Sequence, residues 1–98
     1  MAVKVIVELR AKPGWRGELK NVLHMLMSEL GPVLKEKGSL GGSVYEVLDD
    51  PDTLVEIADW ESAQARDAVM RDPATADAMA PVLELLAGPF EATVVQPA

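Results

Sequence analysis

The sequence predicts an α+β fold of ferredoxin-like order, β-α-β-β-α-β, with an antiparallel sheet carrying its helices on one face. Three observations predict it. Apolar residues alternate with period two near both ends of the chain, a stripe with helical spacing follows the first alternating run, and two short strand-like runs in the middle are joined by a turn-rich connector. The 98 residues are expected to form one domain, 1–98, since so short a chain rarely divides.

Val3, Val5, Val7 and Leu9 alternate with Lys4, Ile6, Glu8 and Arg10, a strand with one apolar face that stops at Lys12-Pro13-Gly14. From Trp15 the period changes. Leu19, Leu23, Leu26, Leu30 and Val33 recur at spacings of four and three, a single stripe on a helical wheel. Gly31-Pro32 predicts a break or kink in that helix, and Gly38 its end. Residues 42–48 and 54–60 read as strands joined by Asp49-Asp50-Pro51-Asp52-Thr53, whose length and turn formers suit a hairpin. A metal-loop reading of those aspartates lacks the Gly and the closing Glu of a calcium loop.

Ser62 is the expected N-cap of a helix through about Arg71, and Asp72-Pro73 opens another. The stripe of this last helix is Met79, Val82, Leu83 and Leu86, closed by Gly88-Pro89. Phe90, Ala92 and Val94 then alternate with Glu91, Thr93 and Val95 in the final strand.

Composition narrows the function. Nine Lys+Arg against 16 Asp+Glu give a net charge of −7, a field that repels phosphate backbones and anionic membrane surfaces. The absence of cysteine excludes disulfides, thiolate catalysis and Cys-based metal sites. Lys4 and Glu8 rule out a signal peptide at the N-terminus, and no apolar run approaches the roughly 20 residues of a membrane span, so a cytoplasmic protein is expected. Apolar residues make up 49%, more than one small two-layer domain needs, which points to a second copy covering the free face of the sheet.

Lys12-Pro13-Gly14, the helix after it, Gly38, Asp49-Asp50-Pro51-Asp52 and Asp59-Trp60-Glu61-Ser62 follow one another in an order and spacing that resemble the antibiotic biosynthesis monooxygenase family. The resemblance covers residues 3 to 96, and Trp60-Glu61-Ser62 is its strongest local piece. It implies a homodimer whose two sheets pack as a dimeric α+β barrel, with a pocket between sheet and helices in each subunit. It also implies oxidation of a polycyclic aromatic phenol, anthrone or quinol by molecular oxygen, with no metal or flavin cofactor. The protein would then supply positioning, deprotonation and exclusion of water. A similar branch that degrades haem uses an Asn on the first strand, the Trp, and a His on the following helix. Here Val7 stands at the first position and no His occurs after His24, so only Trp60 matches.

On the residues themselves, Trp60 reads either as a pocket wall with an indole N–H donor or as a large apolar anchor ending a strand. Pairing Leu48 with Leu54 puts Val44, Ala58 and Trp60 on one face and Tyr45 with Ile57 on the other; a shift by one residue would bring Tyr45 to the Trp60 side. The first register also sets Glu46 opposite Glu56, where like charges would leave one carboxyl protonated and Glu56 a candidate general base. The bland alternative is that both are solvated or paired with Arg or Lys. Val7, Leu23, Met27, Tyr45, Met79 and Leu83 are the candidate substrate-lining residues, with core packing the usual role of such methionines and Tyr45 able to donate a proton or stack on an aromatic ligand. His24 lies about 140° round the helix from Leu19, away from the stripe, and Asn21 is similarly placed. Arg66 and Arg71 are the only cations of the second helical region and could orient an anionic ligand, surface solvation being the usual outcome. Beside the oxygenase stand two other functions: a non-catalytic small-molecule binding dimer, and an aromatic polyketide isomerase that would need the Glu46/Glu56 pair.

Overall fold

The strictest alternation in the chain belongs to the first strand, and that strand lies inside the sheet with a partner on each side. The computed structural model describes residues 1–98, with β1 at Val3–Arg10, α1 at Arg16–Glu36, β2 at Ser39–Glu46 and β3 at Thr53–Trp60. α2 follows at Ala63–Met70, α3 at Pro73–Leu85 and β4 at Glu91–Val95. The strands form one antiparallel sheet in the order β2-β3-β1-β4. This is the ferredoxin-like α+β arrangement expected from the sequence.

Val3, Val5, Val7 and Leu9 are buried and their neighbours Lys4, Ile6, Glu8 and Arg10 are exposed, so the alternation maps directly onto the two faces. The buried set meets Leu19 and Leu23 of α1, Leu54 and Trp60 of β3, Val69 of α2 and Val82 of α3 in one core. Ser62 caps α2, its hydroxyl accepting from Ala65 N–H at 3.1 Å. Asp72 caps α3, its carboxylate accepting from Ala74 N–H at 2.9 Å. Both are the caps expected from sequence, and each satisfies a donor that the helix start would leave orphaned. No helix is long and apolar enough to cross a membrane.

Two expectations need correction. Of the break or kink expected at Gly31-Pro32, the break does not occur: Pro32 lies inside one helix that runs on to Glu36, with Lys37 as its C-cap. Proline inside a helix loses one hydrogen bond and crowds the preceding turn. Here Leu30 and Leu34, before and after it, both face the space between α1 and the sheet, and that tertiary packing carries the helix through. The hairpin register is shifted by two residues: Glu46 pairs with Leu54, and Val44, not Glu46, stands opposite Glu56.

The cause is a loop tied tighter than its composition reveals. The Arg16 guanidinium donates to the carbonyls of Val47 at 3.2 Å and Asp50 at 2.9 Å, and pairs with Glu46 at 2.8 Å. Asp50 accepts from the Thr53 hydroxyl at 2.7 Å and from Asp52 N–H at 3.0 Å, contacts that hold its carboxyl below the usual range. These bonds draw Val47 and Leu48 out of the strand. The shift is by two, so the face assignment survives. The aspartates act as turn acceptors, and no group of three metal-ligating side chains converges there or elsewhere.

Candidate active site

Between the inner face of the sheet and the helices lies a cavity of about 320 Å³. Its floor is the inward row of β1 and β3: Val5, Val7, Leu9, Ala58 and Trp60. The roof is the α1 stripe, with Leu23, Leu26, Met27 and Leu30, and the far wall comes from α2 and α3, with Val69, Ala78 and Met79. The stripe predicted on α1 is therefore both core and lining, because the helix stands off the sheet over part of its length. The volume falls at the lower end of the range of small-molecule sites, and the wall is apolar as such sites usually are.

Four ionisable side chains line this space: Glu56, Arg66, Lys37 and Asp72. Lys37 and Asp72 face each other across the gap between the end of α1 and the start of α3, their charged atoms 3.5 Å apart. The Ala74 N–H holds the Asp72 carboxyl below its usual range, burial opposes it, and the Lys37 charge adds a smaller lowering effect. Glu56 is different. It sits in mid-β3, beside Val7 on β1 and Val44 on β2, and its carboxylate has neither a hydrogen bond nor an ion pair within the chain. No buried side-chain oxygen or nitrogen lacks a partner, so its oxygens open to the cavity and are not sealed in the core. Burial pushes its carboxyl above the ordinary glutamate value, and the Arg66 charge opposes that shift only in part.

A raised Glu56 carboxyl is one of the two readings that the sequence leaves open, and here it has a different cause from the one expected. Glu46 does not face Glu56; it lies exposed and pairs with Arg16. Desolvation alone lifts Glu56. The isomerase reading loses its acid–base pair with this correction. Trp60, buried to 5% exposure, lines the same cavity, and its indole N–H donates to no group in the chain. Val7, Leu23, Met27 and Met79 also line it.

Tyr45 and Leu83 do not line the cavity. Tyr45 stands opposite Val55 on the outer face, 53% exposed, since its parity along β2 is opposite to that of Val44. Leu83 is 49% exposed because α3 turns the adjacent Val82 into the core, which rotates Leu83 out by about 100°. His24 and Asn21 are exposed on the outer side of α1, as their wheel positions imply.

Sequence reasoning missed Gly42, Phe90 and the Lys37–Asp72 pair. Gly42 is opposite Ala58, where an added Cβ would lie 3.1 Å from the Ile57 carbonyl oxygen. The glycine thus keeps a low wall beside Glu56. Its inward parity was available in the strand pattern; nothing local links Lys37 to Asp72.

Comparison with known proteins agrees with this geometry. The family model for antibiotic biosynthesis monooxygenase matches residues 2–81. No curated protein matches significantly. Among solved structures, Rv0793 from Mycobacterium tuberculosis is 28% identical with a TM-score of 0.78, covering 100% of this chain and 96% of that one. A conserved protein from Methanosarcina mazei Go1 is 23% identical with a TM-score of 0.81, covering 100% and 94%. SnoaB, a cofactor-independent oxygenase from Streptomyces nogalater, shares the fold with a TM-score of 0.78 at 14% identity, covering 98% and 92%. A sheet in this order, an apolar cavity beneath its helices, and a family match over most of the length lead to one conclusion: the chain belongs to the antibiotic biosynthesis monooxygenase family.

Proposed function

We propose that this protein is a cofactor-independent monooxygenase that oxidises an anthrone, phenol or quinol with molecular oxygen in the cavity beneath α1. The observation that carries the reading is the unpartnered carboxylate of Glu56, open to an apolar space beside an unpartnered indole N–H. A base with a raised pKa in a dry site is suited to removing the proton of a weak carbon or phenolic acid.

For an anthrone the overall change is a ring methylene plus one dioxygen giving a ketone plus one water. Glu56 takes one C–H proton, and the resulting carbanion gives an electron to oxygen. The radical pair then joins to form a C–O bond. The second C–H proton moves to the departing oxygen as the O–O bond breaks, leaving a ketone and hydroxide. Glu56 returns its proton to that hydroxide as water. All four electrons come from the substrate, and oxygen receives them. Trp60 would donate its indole N–H to the substrate oxygen that gains charge on deprotonation, and the apolar wall would keep water from competing.

Oxygen uptake with a panel of anthrones, naphthols and hydroquinones tests the reading. The expected result is acceleration above autoxidation by at least one of them, reduced about tenfold or more in Trp60→Phe, which keeps the ring packing but removes the donor. No acceleration across the panel, with thermal stabilisation by the same compounds, would leave a binding protein of this fold.

We also propose that the working unit is a homodimer. The outer face of the sheet carries Ile6, Val55, Ile57 and Val95 between the Lys4–Asp59 pair and Glu8. Such a mixed face suits a second copy of the same sheet. Sedimentation at micromolar concentration is expected to give twice the mass of the 10.5 kDa chain, and a monomer would overturn this.

A further inference from the structure

We propose that Arg66 forms, with Glu56, an anion-exchange site in the cavity: its guanidinium holds the ligand oxygen that becomes negative when Glu56 accepts the ligand's proton. The ligand class is therefore an enol, phenol or carbon acid whose conjugate base places negative charge on an oxygen that the guanidinium can reach. This rests on the reading of Glu56 as a base, but not on any reaction with oxygen.

Arg66 is the fourth residue of α2, half-buried, and lines the same cavity as Glu56. Its side chain makes no hydrogen bond and no ion pair within the chain. Arg71, at the end of the same helix, is exposed and donates to the Asp67 carbonyl at 3.3 Å. Arg66 shares the cavity wall with Glu56 and its charge acts on that carboxyl, yet the two do not close into a salt bridge. The other charged groups on the cavity wall, Lys37 and Asp72, neutralise each other.

A planar guanidinium whose donors no group in the chain accepts, on the wall of an apolar space, is free to take up a ligand oxygen. The site has one positive charge and room for one negative charge. Without ligand, the negative charge is on Glu56. With an acidic ligand bound, a single proton transfer puts it on the ligand oxygen, where Arg66 meets it directly. The total charge in the cavity is the same before and after, so the transfer requires no ion to enter from water. The gap between Arg66 and Glu56 is what makes this useful, because a closed salt bridge would hold the carboxylate and suppress its basicity.

The test uses ligands that report ionisation by absorbance and do not react with oxygen: 4-nitrophenol and 2-hydroxyanthraquinone, each titrated bound and free against the wild type and three variants. In the wild type the pKa of the bound ligand is expected to fall by about one unit or more, the effect of an opposite charge at close range. In Arg66→Met the bound pKa is expected at or above the free value, because only the apolar wall and the Glu56 carboxylate remain. Arg66→Lys should restore part of the shift. Glu56→Gln should lower the bound pKa further, since no carboxylate then competes for Arg66. Circular dichroism and thermal unfolding confirm that each variant is folded. An unchanged bound pKa in Arg66→Met, or no saturable binding of either probe to the wild type, overturns the proposal. A shifted pKa with no oxygen uptake by any panel substrate would sink the oxygenase and leave this site standing. Uptake without a shift would do the reverse.

Discussion

Glu56→Gln is expected to lower kcat by about 10² to 10⁴-fold on any substrate that the wild type oxidises, the usual contribution of a positioned general base. Glutamine keeps the shape and the packing against Val7 and Val44, so the loss would be of the base and not of the fold. The wild-type rate should rise with pH through an apparent pKa above the ordinary glutamate range, since only the ionised carboxylate accepts a proton. That limb should vanish in the variant.

Stability should move the other way. Burial raises the Glu56 pKa in the folded chain above its unfolded value. The folded protein therefore holds this proton more tightly, and ionising the group in the cavity weakens the fold. The weakening is absent below the unfolded glutamate pKa, grows as pH rises from there, and is complete above the folded pKa. Glu56→Gln should match the wild type in acid and unfold at a higher temperature near neutrality. A variant that loses activity while gaining stability cannot be a folding defect. Equal activity in the two proteins would remove Glu56 from the chemistry.

Gly38→Ala is expected to cost about 2–5 kcal/mol of folding stability, from left-handed backbone strain and overpacking together. Gly38 has φ +107°, and an alanine Cβ there would sit 2.9 Å from the Cβ of Ala65 on α2 and 2.9 Å from Cγ of Glu61. The glutamate can swing aside, but the alanine is fixed to its helix. The Gly38 carbonyl also accepts from Glu61 N–H at 2.9 Å, and Ser39 pairs with Trp60, so this junction seats the tryptophan end of the cavity. Gly17→Ala is the control: its added Cβ would meet nothing within 4 Å, and replacing a helical glycine should stabilise by about 0.5–1 kcal/mol. Urea unfolding of both variants measures the difference. A Gly38→Ala protein as stable as the wild type would show that α2 can yield there.

The elements were legible because each rests on a local rule. Alternation from Val3 to Arg10 determines a two-faced strand, the leucine stripe a one-faced helix, and Ser62 and Asp72 the helix starts. Gly38 announced the end of α1, though not that α2 would press on it. The failures are all non-local. Pro32 stays helical because Leu30 and Leu34 are held over the sheet. Leu48 leaves its strand because Arg16, far back in the sequence, grips the loop.

The candidate site divides in the same way. The inward parity of Val7, Glu56 and Trp60 follows from period two along their strands, which a register shift of two residues leaves untouched. Which residue stands opposite Glu56 depends on a loop clamped from α1, so Val44 took the place expected for Glu46. Whether Glu56 is wet or dry is a property of the assembled cavity, and so is the approach of Arg66, which needs α2 laid across β3. Sequence by itself determined the order of elements, the faces of the strands and the overall acidity, because those depend on neighbours a few residues apart. Only the tertiary structure decided that one carboxylate and one guanidinium share an apolar space without closing on each other, because burial and long-range charge exist only after distant segments have packed.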